Sequence, residues 1–504
     1  MPLAAITPPP GVVANGTQYS SKGRWVDSNL VRFQSGHLEP VGGWQRLNTT
    51  ALAGGTVVTM LSWRDNAFGQ TLAVATANNV HALRVGAFDD ITPTGYVGAT
   101  GSGSLAYGFG AGPYGEESFG DARTVSGLKK RAQNITMDVF GEDLVFCSSL
   151  DGKIYLWSPN SGGTPDAAAA VLSNAPTNNL AVCVTNERHV LAIGAGGDAR
   201  KVQFSDQETS NTWAASATNL AGSITLQTGG TLLAGKRHRT DTILFTDQDV
   251  HRMYYIGAPL AYAVEQVGDS CGPLGPNAIV SASGFLAWMS DNGVFTYDGA
   301  VRPIPCEVHD FIYDNLNRNF KEIVAGGANA TNSEIWWFFP TGDNTSNTHY
   351  VIWNYQDNVW SVGELSRQFW LDKGAFETPL AGDKDGFVYS HEDGVLSASP
   401  DIGLSKPYAE TGPIEIGQGD KVMHATRIIP DEESNATGCV QFEVSGRNNP
   451  LAANTNFGTF TIDADGYTDA RFTARQVQVK VEGVTDRTWK LGTLRVDGKT
   501  RGKR

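Results

Sequence analysis

Cysteine is scarce in this chain of 504 residues, and its placement excludes a disulfide framework. The five cysteines are odd in number and lie far apart, which fits neither paired bridges nor the close spacing of a zinc motif. We expect them to be small buried hydrophobic residues of a protein made in a reducing cytoplasm. They are Cys147, Cys183, Cys271, Cys306 and Cys439.

Long hydrophobic runs are also missing from the sequence. No stretch of about 18 consecutive apolar residues occurs, so we predict no membrane insertion by the chain itself. The first residues, MPLAAITPPPGVV, lack a basic region followed by a long apolar run. We therefore expect no export by a signal peptide.

Positive charge is in deficit. The chain has 38 Lys and Arg residues against 52 Asp and Glu residues, and its formal net charge is −14. Such a molecule as a whole repels the phosphate backbone of nucleic acids, although a local basic patch would behave differently. The charge balance disfavours a protein whose task is to grip DNA or RNA.

Helix-forming Leu, Glu and Lys are few, whereas Thr, Val, Asn and aromatic residues are plentiful. The chain also holds 58 glycines, well above the average of ~7%. Because β-branched and aromatic residues favour strands and glycine favours tight turns, the composition predicts an all-β fold of short strands.

A hairpin unit recurs along the chain: an apolar strand, a polar turn with Asp, Asn or Gly, and a second strand that usually ends in an aromatic residue. From the second copy onward, the copies begin 43 to 52 residues apart. One four-stranded propeller blade occupies about 40–50 residues, so we predict a β-propeller of six to eight blades. An irregular set of β-sandwich hairpins is the alternative. The seven copies begin at Leu72, Leu144, Leu191, Ile243, Leu286, Ile335 and Pro379.

Two segments carry a helical pattern. The run DAAAAVLSNA has Asp166 as a candidate N-cap. The run EVHDFIYDNLNRNFKEIVAGG places Val308, Ile312 and Leu316 on one apolar stripe, with Gly326 as a candidate end. We expect the second helix to pack against the core.

An insertion rich in Gly and Ser, residues 95–127, separates the first two hairpin copies. Its aromatic residues recur in Gly-flanked units, which a purely flexible linker does not need. Either the loop packs against its own rings, or it contacts a neighbouring subunit or lines a passage. The aromatic residues are Tyr107, Phe109, Tyr114 and Phe119.

Strand alternation resumes after Pro407 and Pro413 and continues to the end of the sequence. This pattern predicts a compact β domain that resembles a sandwich. The expected organisation is an N-terminal arm with the first strands in residues 1–47, a propeller in 48–400 and a C-terminal β platform in 401–504.

Known catalytic motifs are incomplete. GTLLAGKR (residues 230–237) has the glycines and lysine of a phosphate loop, but Arg237 stands where a magnesium-binding hydroxyl is required, and a strand pattern follows. His391 and Glu392 form an adjacent acid–base pair without an orienting third group, and a turn is the simpler interpretation. We predict no catalytic site, no cofactor and no bound metal.

Six sequence blocks follow one another along the chain: GRWVDSNLVRFQSGHLEPVGGW, MDVFGEDLVFC with DGKIYLW, EIWWFFP, YVIWNYQDNVWSVGELSR, GPIEIGQGD and LGTLRVDGKTRGKR. Together, in this order, they resemble the tail nozzle proteins of short-tailed bacteriophages, also called phage stabilisation or tail accessory proteins. The resemblance runs from about Pro9 to Arg504, and none of its blocks is a catalytic fingerprint.

The resemblance implies a structural virion protein without enzymatic activity. Six copies would form a homo-hexameric ring below the portal and adaptor, around a channel that holds double-stranded DNA until ejection. The implied partners are the tail adaptor (head-to-tail connector) ring, tail fibres or spikes, and a tail needle or gate. The implied location is the virion tail, assembled in the host cytoplasm. An acidic tube would let DNA slide through without sequence-specific binding, because it makes few counterion-releasing contacts.

In such a ring, residues 1–47 would be an interlocking arm that bridges neighbours. Its aromatic residues would be buried apolar anchors, and its arginines would pair with carboxylates of the platform or of a neighbour. The alternative, which is not exclusive, makes this segment the first strands of the chain's own fold. The residues concerned are Trp25, Phe33 and Trp44, and Arg24, Arg32 and Arg46.

Two other functions stay open. The aromatic-rich blades and the pair His391 and Glu392 motivate a propeller hydrolase that acts on cell-surface glycans. A lectin-like receptor-binding module is the third hypothesis, although the blades carry no repeated ligand motif.

Overall fold

The computed structural model describes residues 3–501 except 18, 68, 85, 100–133, 404, 416–420, 435–437, 451, 464 and 485–486. The four aromatic residues of the predicted contact loop, Tyr107, Phe109, Tyr114 and Phe119, lie outside the described residues.

Five short strands begin the chain, and they do not form a sheet of their own. Four of them pair with strands of the C-terminal region, directly or through a neighbour, and the fifth joins the propeller. They are β1 (Leu3–Ile6), β2 (Trp25–Asn29), β3 (Val31–Gln34), β4 (His37–Pro40) and β5 (Trp44–Arg46).

Seven four-stranded antiparallel sheets, named blades 1 to 7 in chain order, form the middle of the chain within the described residues. Blade 1 comprises β6 (Val57–Arg64), β7 (Gln70–Thr76), β8 (Val80–Leu83) and β9 (Phe88–Asp90). Blade 2 comprises β10 (Ile135–Phe140), β11 (Asp143–Ser148), β12 (Ile154–Trp157) and β13 (Ala170–Val171). Blade 3 comprises β14 (Ala181–Val184), β15 (Val190–Ile193), β16 (Lys201–Phe204) and β17 (Gly222–Thr225).

Blades 4 to 7 follow the same order of strands. Blade 4 comprises β18 (Leu232–His238), β19 (Asp241–Thr246), β20 (Val250–Gly257) and β21 (Ala261–Gly268), and blade 5 comprises β22 (Ile279–Ala282), β23 (Phe285–Ser290), β24 (Gly293–Tyr297) and β25 (Val301–Ile304). Blade 6 comprises β26 (Ala325–Asn329), β27 (Glu334–Phe339), β28 (His349–Asn354) and β29 (Val359–Glu364). Blade 7 comprises β30 (Phe369–Leu371), β31 (Leu380–Gly382), β32 (Val388–His391) and the N-terminal β5, which pairs with β32.

The predicted β-propeller is confirmed, and the seven hairpin copies correspond to the second and third strands of the seven blades. These strands carry the strongest pattern because they are buried between neighbouring blades. All six residues of β27, for example, are buried. The N-terminal β5 supplies the outer strand of blade 7, with Ser390 opposite Gln45. This pairing closes the ring and removes the exposed edge that β32 would otherwise present.

Helical structure is sparse, and one predicted helix is wrong. Ala170–Val171 forms β13, which pairs with Tyr155 and Leu156 of β12. A short alanine run does not sustain a helix in isolation, because few residues share the cost of nucleation. The second predicted helix is correct over α1 (His309–Asn315) and in a short 3₁₀ turn at Lys321–Ile323, and Gly326 lies in β26. The helices of the described part are too short or too polar to span a bilayer.

The C-terminal region forms a β sandwich from two six-stranded sheets. Its C-terminal strands are β33 (Tyr408–Thr411), β34 (Ile414–Glu415), β35 (Val422–Ser434), β36 (Val440–Arg447), β37 (Thr455–Thr461), β38 (Phe472–Ala474), β39 (Gln476–Gly483) and β40 (Trp489–Arg501). One sheet contains β1, β3, β4, β35, β38 and β40, and the other contains β2, β33, β34, β36, β37 and β39.

The sandwich and the propeller share a continuous hydrophobic core. It contains Trp360 of β29, Val31 of β3 and Leu494 of β40, all at most 1% exposed. Strand β2 lies over β29, where the Ser28 hydroxyl donates to the carbonyl oxygen of Val362 over 2.8 Å. The N-terminal segment therefore holds the two bodies together.

Candidate functional site

Residues 23–47 form the junction between the sandwich and the propeller. Trp25 and Phe33 lie in the shared core, with exposed fractions of 4% and 2% and ring centroids 6.0 Å apart. Trp44 is 1% exposed and lies in blade 7. The three aromatic side chains are therefore buried inside their own chain.

Arg32 is the centre of a buried ion cluster. Its Nε lies 2.9 Å from Oε1 of Glu334, and its Nη1 donates to Oε2 of Glu392 over 3.1 Å. Gly42 donates its backbone N–H to the same Oε2, and a Cβ at this glycine would lie 2.5 Å from that oxygen. Only glycine lets the chain approach Glu392 so closely.

The cluster holds two carboxylates for one guanidinium, which affects their ionisation. Burial and the nearby charge of Glu392 raise the pKa of Glu334 to about 7, against the opposing effect of Arg32. The same carboxylates raise the pKa of Arg32, although burial lowers it. Arg32 is therefore charged at neutral pH and is held between the two carboxylates at the junction.

The other two arginines form more exposed pairs. Arg24 Nη2 lies 3.1 Å from Oε2 of Glu307, and Arg46 Nη2 lies 2.9 Å from Oδ1 of Asp401. We expected these arginines to pair with carboxylates of the platform or of a neighbouring subunit. In the structure, Arg24 and Arg32 instead pair with propeller residues, because the segment runs in an extended form along blade 6 before it enters blade 7.

A second buried cluster closes blade 7. Arg367 donates from Nε to Nε2 of His391 over 3.0 Å, and its guanidinium lies 4.1 Å from the ring centroid of Tyr389. The ring of His391 stacks on Trp44 with centroids 5.2 Å apart. Burial and the charge of Arg367 hold the pKa of His391 well below its usual range, and burial lowers the pKa of Arg367 to about 10.

His391 and Glu392 are thus engaged in two different clusters. His391 is 3% exposed and accepts a hydrogen bond from Arg367, whereas Glu392 binds Arg32. Sequence reasoning missed Arg367, since an arginine in SRQFW has no motif to mark it. A basic residue separated by one glutamine from two aromatic residues is the weak signal that was present.

Two cavities lie at the junction of sandwich and propeller. One, of about 380 Å³, is lined by residues that include Arg32, Glu39, Glu392 and Trp489. The other, of about 510 Å³, includes Asp27, and burial raises the pKa of this carboxyl. Both contain side chains of the two bodies, so a molecule bound there would contact both.

A third cavity, of about 290 Å³, lies on the propeller axis and is lined by the first strands of all seven blades. This space holds on the order of ten water molecules. A DNA duplex, whose major groove alone is about 12 Å wide, does not fit through it. If DNA passes this protein, it passes beside the propeller and not along its axis.

No group of three or more His, Cys, Asp or Glu side chains that could hold a metal ion is found in the described ranges. Cys147, Cys183, Cys271 and Cys306 form no disulfide in the part of the chain that the structure describes, and Cys306 is the one of these four that is partly exposed. Burial raises the pKa of Cys271 to about 11 and that of Cys306 to about 12, so both are protonated thiols at neutral pH.

No protein-family model and no curated protein matches the sequence. Among solved structures, the Pan2 WD40 domain of Neurospora crassa is similar over 70% of this chain and 97% of its own, with 9% identity and a TM-score of 0.39. The Cps50 (Swd1) β-propeller domain of Myceliophteria thermophila covers 70% of this chain and 99% of its own, with 11% identity and a TM-score of 0.38.

A fungal alcohol oxidase of the AA5 family, determined in complex with copper, is also similar. It aligns with 90% of this chain and 93% of its own, with 11% identity and a TM-score of 0.40. These are distant likenesses.

Proposed function

We propose that this chain is the tail nozzle of a short-tailed bacteriophage, a structural virion protein and not an enzyme. Six copies form a ring that closes the tail below the adaptor and conducts double-stranded DNA during ejection. Tail fibres or spikes dock on the ring, and a tail needle or gate closes it. The observation that carries the proposal is the fusion of sandwich and propeller into one body by residues 23–47.

A ring that holds DNA under load needs subunits that do not deform. Here strands from the two ends of the chain lie in the same sheets: β1 and β4 both pair with β40, and β2 pairs with β33. These ladders keep the N-terminal strands inside the sandwich, so pulling the sandwich away from the propeller would break the buried Arg32 cluster, the Ser28–Val362 hydrogen bond and the shared core at once.

Charge and size support passage of DNA through the centre of a ring. The net charge of −14 gives DNA few contacts that release counterions, so it would slide and not be held. The axial cavity of one propeller, at about 290 Å³, is far too small for a duplex. The conduit of the proposed assembly is therefore formed between copies.

Native mass spectrometry and electron microscopy of the purified protein test the proposal. We expect a closed ring of six copies with an open centre, and peptides of the chain in purified virions. A strict monomer at every concentration, together with absence from virions, would refute it.

Duplex DNA binding provides an independent check. We expect no saturable binding of the ring to a short duplex at physiological salt. Tight binding that weakens steeply as salt rises would show that the lining grips phosphate, contrary to the proposed sliding channel.

A further inference from the structure

The axial cavity is built by strands β6, β10, β14, β18, β22, β26 and β30. Its wall is mostly apolar, with Met137, Ile279, Phe369 and Trp370 among the lining residues. Its volume of about 290 Å³ lies at the lower end of the range of about 300–1,000 Å³ found for small-molecule sites.

Two charged groups of this wall neutralise one another beside the first strand of blade 3. Arg237 of β18 reaches Asp138 of β10, with 2.6 Å between Nη2 and Oδ1. The carboxylate of Asp138 also accepts the backbone N–H groups of Val139 and Val184. Asp138 is therefore committed to Arg237 and to the backbone.

Lys236, the residue before Arg237, is left without a direct partner. Its amine has no hydrogen bond or ion pair to any part of the chain that the structure describes. It is only partly exposed, and burial lowers its pKa. The carboxylate of Asp138 attracts the Lys236 amine but already pairs with Arg237. A cation removed from bulk water without a carboxylate bound to it is costly, so an anion in the cavity would relieve that cost.

The other charged side chains of the cavity wall favour an anion that carries a single negative charge. Asp372 also lines the cavity, and its carboxylate accepts the backbone N–H groups of Ala330 and Lys373. With Asp138 and Asp372 already present, a dianion such as phosphate would meet two carboxylates, whereas a monoanion balances Lys236 alone.

We propose that the axial cavity binds a small carboxylic acid with an apolar body, whose carboxylate pairs with the Lys236 amine while its body packs on the apolar wall. The site is independent of ring formation, because all its residues belong to one propeller.

Benzoate is the probe, with benzamide as its neutral counterpart of the same shape. Isothermal titration calorimetry on the full chain should show saturable binding of benzoate at one site per chain and at least tenfold weaker binding of benzamide. Lys236→Met removes the charge but keeps the length of the side chain, and it should lower benzoate affinity at least tenfold. Lys201→Met in β16, outside the cavity wall, is the matched control and should bind as the wild type does.

Three outcomes of these measurements would contradict the proposed anion site. Absence of saturable benzoate binding by the wild-type chain would overturn the proposal, and so would equal affinity of the Lys236→Met variant in a sample that melts at the wild-type temperature. Benzamide binding as tightly as benzoate would show an apolar cavity with no anion site. Because the monomeric chain suffices for this assay, a negative outcome leaves the proposed nozzle function unaffected.

Discussion

Arg367 donates a hydrogen bond from Nε to Nε2 of His391 over 3.0 Å, at the seam of the propeller where β5 joins blade 7. The seam is where β5, from the start of the chain, meets β32, more than 340 residues later. Burial and the charge of Arg367 lower the pKa of His391, so protonation of this histidine disfavours the closed propeller.

Acid should weaken this seam. The folded pKa of His391 lies well below its ordinary value, so between that ordinary value of about 6.5 and the folded pKa the unfolded chain binds one more proton than the folded chain. The contribution to stability is present above about pH 6.5 and is lost by ~1.4 kcal/mol per pH unit as pH falls below it. Urea denaturation from pH 8 to pH 5 measures this loss.

The His391→Gln variant should be less stable than the wild type at pH 8. Its free energy of unfolding should fall less steeply than that of the wild type as pH falls below about 6.5. His37→Gln at an exposed position is the control and should keep the wild-type slope. An unchanged slope in His391→Gln would contradict this account of the seam.

Removing the charge of Arg32 should destabilise the junction in a pH-dependent way. Arg32→Met leaves Glu334 and Glu392 as unpaired carboxylates in a buried site, at a cost of about 3–5 kcal/mol at pH 8. The pKa of Glu334 is already about 7 and rises further without Arg32. The free energy of unfolding of Arg32→Met should therefore fall further below that of the wild type as pH rises above 7.

Chemical denaturation at pH 6, 7 and 8 gives this comparison. Arg302→Met, which removes an exposed pair with Asp298, is the control and should cost less than about 1 kcal/mol at each pH. If Arg32→Met differed from the wild type by the same free energy of unfolding at pH 6 and at pH 8, the ionised state of the cluster would not contribute to stability as predicted.

Gly483 should tolerate no side chain. A Cβ there would lie 1.9 Å from Nε1 of Trp489, inside the sandwich core, so Gly483→Ala should cost about 3 kcal/mol or more. Gly374→Ala, where a Cβ meets nothing within 4 Å, should change stability by no more than about 0.5 kcal/mol. Thermal melts of the two variants compare them directly, and equal melting temperatures would show that the two sheets are not packed as described.

Trp44 should be the main anchor of the closing strand. Its indole N–H donates to the carbonyl oxygen of Pro400, and its backbone N–H donates to Oγ of Ser399, both within 2.8 Å. Trp44→Ala should cost about 3–5 kcal/mol and should expose the edge of blade 7 to limited proteolysis. Leu47→Ala, at a side chain that is 38% exposed, is the control and should resist proteolysis as the wild type does. Wild-type resistance of Trp44→Ala would mean that β5 is not needed for closure.

The repeating hairpins could be read from the sequence because both their strands and their turns are local. In β27 and β28 the strongly apolar segments, with their aromatic residues, are separated by a polar turn, which predicts a buried hairpin without knowledge of its neighbours. The fourth strands were harder to predict. Ala170–Val171 has two exposed residues, so its strand structure comes from pairing with β12 and not from its own pattern.

The two arginine clusters could not be predicted. Arg32 and Glu392 are 360 positions apart, and Arg367 and Trp44 are separated by most of the propeller. Nothing in the spacing of these residues marks them as partners, because only the closed propeller brings the two ends of this span together.

The sequence by itself determined an all-β chain with a repeating hairpin, an acidic surface and buried aromatic residues near its start, since these depend on composition and on short-range periodicity. Only the tertiary structure decided that the first strands complete the last blade and both sheets of the sandwich, and that the amine of Lys236 has no hydrogen bond or ion pair with any described residue. Pairing between distant segments depends on which faces are left to bury once the local hairpins exist, and that choice is made in three dimensions.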